Sequence, residues 1–232
     1  ILIEVIIFML LGIKKNIFII YILLLLIICS NNIYSEGFSI SRIQYGGGGD
    51  WYSDKSSLTN LLEFLSINTN IITNLEEKTV KIEDEEFIKN SYFYLTGHGN
   101  IKLSNSEKNI LRDHLFNGAF LHVDDNYGLD KSFRKLVKDI FPDKDMVELP
   151  PSHEIFNCYY KFQNGLPKVH EHDKQRPQAL GIFHNNELIL LYTYESDLGD
   201  GWEDPEVHND PEYIRNQALK MGTNIIIYAL SR

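Results

Sequence analysis

The sequence predicts an α/β fold, a mostly parallel sheet with helices on both faces. Two observations carry this expectation. Short apolar runs alternate with segments of helical periodicity along most of the chain. Three of those runs also end in polar loops rich in Gly, His or Asp. The length of 232 residues and the apolar content of 44% suit one domain with a sizeable core.

The beginning of the chain differs in kind. Met9, Lys14-Lys15, an apolar run from Ile17 to Ile28 and the polar stretch Cys29-Ser30-Asn31-Asn32 follow the order of a secretory signal. Residues 1–35 are therefore expected to be a signal peptide or N-terminal membrane anchor, with 36–232 forming a single α/β domain. Cleavage after Ser35 and lipidation at Cys29 are alternative fates, although Ile28 stands where a lipoprotein signal places a small residue. The expected location is exported, periplasmic or membrane-anchored, with membrane contact through this segment alone.

Each element of the domain has its own signal. Ser39 to Tyr45 reads as a strand and Gly46 to Asp54 as a loop. Leu58, Leu61, Leu62 and Leu65 make Ser57 to Ile67 an amphipathic helix. Thr79 to Ile82 is a short strand, and Tyr92 to Thr96 is a strand ending in Gly97-His98-Gly99-Asn100. Ser104-Asn105-Ser106-Glu107 forms a capping box, Ile110, Leu111 and Leu115 give the helix its face, and Gly118 stops it. The strand Ala119 to Val123 runs into Asp124-Asp125-Asn126-Tyr127-Gly128. Phe133, Leu136, Val137 and Ile140 mark another helix before Pro142, and Glu148 to Pro167 reads as irregular. Ala179 to Phe183 and Glu187 to Tyr194 form a hairpin around Asn185-Asn186. Asp197 to Asp210 reads as a loop, after which Pro211 opens a closing helix through Ile214, Ala218, Met221 and Ile225.

Parallel sheets bind ligands at the carboxyl ends of their strands. Three loops are expected to converge there: Gly46 to Asp54, Gly97 to Asn100 and Asp124 to Gly128. Gly47, Gly48 and Gly49 expose backbone amides, and Asp50, Trp51 and Tyr52 add a carboxylate and two aromatics, so the loop either lines a polar-ligand site or is a flexible turn. It lacks the ending of a P-loop and the glycine spacing of a dinucleotide site. His98, between Gly97 and Gly99 and before Asn100, suits a general base, acid or ligand, or a structural histidine. Asp124 and Asp125 alternate across the strand; they suit proton sharing, metal binding or capping of the next helix. Gly199, Trp202 and Glu203 lie in the acidic stretch Asp197 to Asp204, expected as a lid or a solvated turn. His170 and His172 make a weak metal pair or a solvated loop, and Cys158 reads as core.

The composition excludes other classes. A net charge of −10 without a Lys/Arg run argues against nucleic-acid binding. Two cysteines, one in the leader, exclude a disulfide framework and a multi-cysteine zinc site. No cofactor is expected, and metal content stays open.

Several motifs in order resemble the bacterial family called domain of unknown function 4159. They are Gly47-Gly48-Gly49-Asp50-Trp51-Tyr52, Leu95 to Gly99, Phe120 to Asp125, Glu148-Leu149-Pro150-Pro151, Leu198 to Glu203, Met221 to Asn224 and Tyr228-Ala229-Leu230. The resemblance implies a three-layer, flavodoxin-like sheet akin to class I glutamine amidotransferases. In that fold a nucleophilic cysteine follows the strand matched here by Ala119 to Val123, but this chain has Asp124 and Asp125 there. Glutaminase chemistry is thus not implied. The expected function is a cell-envelope binding module for a small polar ligand or an envelope protein. The alternative is a hydrolase using His98 with Asp124 or Asp125, with or without a metal.

Overall fold

The computed structural model of the protein describes residues 37–170, 172 and 174–232. The expected leader lies outside the described residues. Among the described residues, no helix is long and apolar enough to cross a membrane.

The sheet has seven strands: β1 (Ser41–Ile43), β2 (Lys78–Val80), β3 (Tyr92–Leu95), β4 (Phe120–Asp124), β5 (Val147–Glu148), β6 (Gln178–His184) and β7 (Glu187–Tyr194). Their order is β2-β1-β3-β4-β7-β6-β5. The pairings from β2 through β1, β3 and β4 to β7 are parallel, while β6 runs antiparallel to β7 and β5. The helices are α1 (Ser57–Asn68), α2 (Asn105–Phe116), α3 (Asp130–Ile140), α4 (Leu198–Trp202), α5 (Pro205–His208) and α6 (Glu212–Ser231).

Strand alternation divides the core. Phe93, Leu95, Leu121, Val123, Leu190 and Tyr192 join one cluster with Leu111 and Leu115 of α2 and Phe133, Leu136, Val137 and Ile140 of α3. Tyr92, Tyr94, Phe120 and Leu191 join the other with the four leucines of α1 and with Ala218, Met221, Ile225 and Ile226 of α6. A central strand buried on both faces needs apolar residues at successive positions, as Leu188 to Leu191 supply.

Local signals placed most elements well. Both halves of the capping box form: the Glu107 amide donates to Ser104 Oγ at 3.1 Å, and the Ser104 amide donates to Glu107 Oε2 at 2.6 Å. Asn185 and Asn186 turn the β6–β7 hairpin with φ of 50° and 69°, the left-handed geometry of a tight hairpin turn. That hairpin is not peripheral, because β7 pairs with β4 and brings a further strand end to the carboxyl edge.

Three expectations need correction. Asp197 to Asp210 is not one loop, since it contains α4 and α5. Nor is Asp197 to Asp204 a lid: Trp202 is completely buried, and its Nε1 donates to the Ala218 carbonyl at 2.8 Å. Its apolar surface anchors α4 under the sheet edge, which overrides the loop signal of Gly199 and Gly201. Finally, neither Asp124 nor Asp125 caps the next helix. The chain continues through Asn126 to Leu129 before α3 starts, and Leu129 is the capping position.

Candidate metal centre

β1, β3, β4 and β7 run the same way, so the chain leaves all of them at one edge. Beyond β1, the loop to Asp54 is held by a buried arginine. Arg42, 1% exposed, grips Glu77 through Nε and Nη2, each at 2.9 Å. Its Nη1 donates to the carbonyl of Ser53 at 2.8 Å and of Trp51 at 3.4 Å, and Nη2 donates to that of Asp54 at 3.2 Å. These bonds fix Asp54 in the left-handed region, at φ 56°.

The Asp54 carboxylate is thereby turned into the edge. Asn126 Nδ2 donates to its two oxygens at 3.3 and 3.4 Å, and Thr96 Oγ1 donates at 3.4 Å. Burial, with the charge of Asp200 next, pushes the Asp54 carboxyl up to about 6 although Arg42 opposes the shift. Asp124, at the end of β4, accepts from the Gly199 amide at 2.6 Å, from Tyr94 at 3.5 Å and from Thr193 Oγ1. Burial still raises it to about 8. Asp125 turns the other way, accepting from Tyr192 at 2.9 Å and from the Glu195 amide at 3.2 Å, and burial raises it to about 7.

Beyond β7 come Asp197 and α4, and the segment before β6 lies against them. The amides of Val169 and His170 donate to the Ser196 carbonyl at 2.9 and 3.4 Å, while Ser196 Oγ donates to Pro167 at 2.6 Å. This docking brings His170 Nδ1 to 2.6 Å from Asp200 Oδ2 and its Nε2 to 3.0 Å from Asp210. The Asp200 hydrogen bond lifts His170 to about 9 against the effect of burial. Burial works to raise Asp200, but His170 and His208 hold it below the usual carboxylate range. From the end of α5, His208 Nε2 stands 2.9 Å from Glu203 and 3.3 Å from Asp200. His172 Nε2 stands 2.8 Å from Asp197 Oδ2.

The result is a buried collection of carboxylates faced by the imidazoles of His170, His172 and His208. Two donor groups stand out among the described residues: His170, Asp200 and His208, and Asp54, Asp200 and Glu203. Within each group one ligand atom per residue lies within 4.8 Å of the others, and Asp200 belongs to both. Mixed imidazole and carboxylate donors suit a divalent transition metal. Among the described residues, the buried oxygens Asp197 Oδ1 and Asn126 Oδ1, like Asp210 Oδ2, lack a hydrogen-bond partner. Asn126 is completely buried and Asp197 is 3% exposed, so an extra cation gives their desolvated oxygens a natural use.

Of the sequence-derived site residues, Glu203 alone belongs to a donor group among the described residues. Gly199 and Asp124 are in direct contact beside it. His98 pairs with Asp50 at the surface: its ring Nδ1 is 3.1 Å from Asp50 Oδ2, with the His98 side chain exposed and that of Asp50 partly so. The hydrogen bonds of His98 go to Asp50, not to Asp124 or Asp125, which bond Gly199, Thr193, Tyr94, Tyr192 and Glu195 instead. Gly46 and Gly49 pair with the next loop, where the Gly49 amide donates to Asn100 at 2.9 Å and the Lys102 amide to Gly46 at 2.7 Å, while Gly47 and Gly48 between them take positive φ. Gly97 must be glycine, as a Cβ there collides with Tyr45 Oη and φ is 134°. Gly99 also takes a positive φ, and its carbonyl accepts from Ser132 Oγ at 3.3 Å. Trp51 packs half-buried on the core beside the exposed Tyr52, their rings 5.4 Å apart edge to face. Trp202 supports the centre from below, 5.6 Å from the Tyr94 ring.

Asp54, Asp200, His208 and Arg42 escaped the sequence-derived set of site residues. The available signals were small: an Asp just before a helix, and acids interspersed with glycines.

Gly199 gives a direct test of how tightly the centre is built. A Cβ there meets Asp54 Oδ2 at 2.6 Å, Tyr94 Oη at 2.8 Å and Asp124 Oδ2 at 3.3 Å. Gly199→Ala is expected to destabilise the protein by about 1–3 kcal/mol, the usual range for overpacking. Urea denaturation measures it, and an unchanged midpoint contradicts this packing.

No curated protein matches the chain. A family model matches residues 39–230, nearly all of the described domain, and the chain belongs to the family described as Domain of unknown function (DUF4159).

Proposed function

We propose that this chain is an exported cell-envelope protein whose domain binds a divalent transition-metal ion, and through it a small polar ligand or an envelope partner. The observation that carries the reading is the convergence of His170, Asp200 and His208 with Asp54 and Glu203. Their imidazole nitrogens and carboxylate oxygens match the ligands preferred by zinc, manganese or iron ions. The signal-like pattern of Met9 to Ser35 supports export. The strand order β2-β1-β3-β4-β7 and the separate core clusters support a three-layer, flavodoxin-like kinship with class I glutamine amidotransferases. In this kinship Asp124 and Asp125 occupy the place of the cysteine nucleophile, so metal chemistry replaces thiol chemistry.

A bound metal supplies Lewis acidity to a ligand oxygen or to water. The chain's own residues do the remaining work. Arg42 and Asn126 orient Asp54, while Asp210 orients His170 through its second nitrogen, as outer ligands do in metal sites. The sharing of Asp200 between both donor groups supports a second reading, metal-assisted hydrolysis, because a bridging carboxylate is a common part of two-metal hydrolases.

Titration calorimetry with Zn²⁺ and Mn²⁺, joined to metal analysis of the purified protein, tests the proposal. One of these ions is expected to bind the wild-type protein stoichiometrically. Asp200→Asn and His170→Ala are expected to weaken binding at least about tenfold, since removing even outer ligands costs 10–100-fold. Failure of both ions to bind, or wild-type affinity in both variants, overturns it. Loss of any detected hydrolysis in Asp200→Asn but not in His98→Ala favours the hydrolytic reading over one based on His98.

A further inference from the structure

We propose that a second site, a lysine-lined groove beside α2 and α3, binds a small ligand carrying two or more phosphate or carboxylate groups. The groove has a volume of about 670 Å³, within the range of small-molecule sites. Lys102, Lys108, Lys131 and Lys135 line it. None of its lining residues belongs to either metal-donor group.

The charge distribution makes this groove distinctive. The whole chain carries a net charge of −10, yet the groove holds four lysines and a single acid, Asp139. Lys108 spends its charge on Asp139 at 3.2 Å. Among the described residues, Lys102, Lys131 and Lys135 have no carboxylate partner. Three unpaired ammonium groups facing one cavity repel each other, and an anion between them relieves that repulsion. The low-dielectric walls supplied by Ile101, Leu103 and Leu136 strengthen the attraction.

No basic run announces the groove in the sequence, because its cations come from separate elements. Lys102 is placed by the antiparallel bridge between its own position and Gly46. Lys108 lies in the first turn of α2, and Lys131 and Lys135 lie one turn apart on α3, on the same helix face. Ser132, on the same helix, ties α3 to the neighbouring loop, its Oγ accepting from the Ile101 amide at 3.2 Å. Phosphate and carboxylate ligands share the required chemistry, and the groove is too small for a nucleic-acid duplex.

Calorimetric titration with tripolyphosphate and, separately, citrate tests the site in full-length protein. The protein is stripped of metal beforehand and dialysed free of chelator, so the outcome does not depend on the metal centre. At least one of the two anions is expected to bind saturably and more weakly as salt is raised. A tripolyphosphate preference assigns a phosphate ligand, and a citrate preference a carboxylate one. Lys131→Ala combined with Lys135→Ala is expected to weaken binding at least tenfold, whereas Asp139→Asn strengthens it. Lys138→Ala, which removes an exposed lysine paired outside the groove with Asp145, leaves it unchanged. Circular dichroism verifies that the variants fold. Absence of saturable binding of both anions, or equal weakening by Lys138→Ala, overturns the proposal.

Discussion

Metal-free protein is expected to lose stability as pH rises from about 6.5 to about 8, on the order of 1–2 kcal/mol per pH unit. The cause is carboxylates that burial makes reluctant to ionise. Asp125 is raised to about 7 and Asp124 to about 8, whereas both ionise near 4 once unfolded. Across this window the folded state therefore holds protons that the unfolded chain has already released. A folded pKa raised above the unfolded one gives stability on the acid side and loses it as pH climbs through the folded value. His170, raised to about 9, acts in the same direction. His122 opposes it only at lower pH: burial takes it down to about 3, so above 6.5 it is mostly neutral in both states.

Added metal is expected to reverse the trend. Ligands must be deprotonated to coordinate, so metal affinity rises with pH while the protein alone weakens. At a free metal concentration of 100 Kd the gain is about 2.7 kcal/mol, or roughly 5–10 °C in midpoint for a domain of this size. Thermal scans in EDTA and in excess metal, at both ends of the window, measure the two effects. A flat EDTA profile contradicts the burial argument. The same metal gain in wild type and Asp200→Asn contradicts the metal centre.

These carboxylates also show what the sequence made legible and what it hid. Leu58, Leu61, Leu62 and Leu65 revealed α1 because helical spacing is local, and all four are buried as that spacing requires. Asn185-Asn186 revealed the hairpin for the same reason. Nothing local fixes where a hairpin joins a sheet, so the place of β7 beside β4 was not legible, nor was the fourth strand end that it brings. Gly199 and Gly201 suggested a loop on intrinsic propensity. They are glycine because Asp54 and Ala218 approach too closely for a side chain, at 2.6 and 2.5 Å from the Cβ positions. The centre itself joins Asp54, His170, Asp200 and His208 across most of the domain, and only the sheet order brings them together.

Arg42→Met is expected to be the most damaging single change at this edge, costing about 3 kcal/mol, the lower end for breaking a buried ion pair because Glu77 is partly exposed. Arg42 grips Glu77 at two points, and the same guanidinium satisfies the carbonyls of Trp51, Ser53 and Asp54. Methionine fills similar volume but supplies none of these donors, so the loss is electrostatic and hydrogen-bonding rather than a cavity. Lysine does not replace the arginine, because a single ammonium cannot span the fork from Glu77 to three carbonyls. Arg42→Lys is therefore expected to recover less than half of the loss. Adding Glu77→Gln to Arg42→Met removes the stranded charge, and the double variant is expected to be more stable than Arg42→Met alone. Urea denaturation of all three variants measures this ordering. A cost below about 1 kcal/mol for Arg42→Met, in the range of a surface pair, refutes the structural role. Metal affinity supplies the functional readout: without Arg42 the loop no longer holds Asp54 at its left-handed φ, so weaker binding is expected even where the variant remains folded.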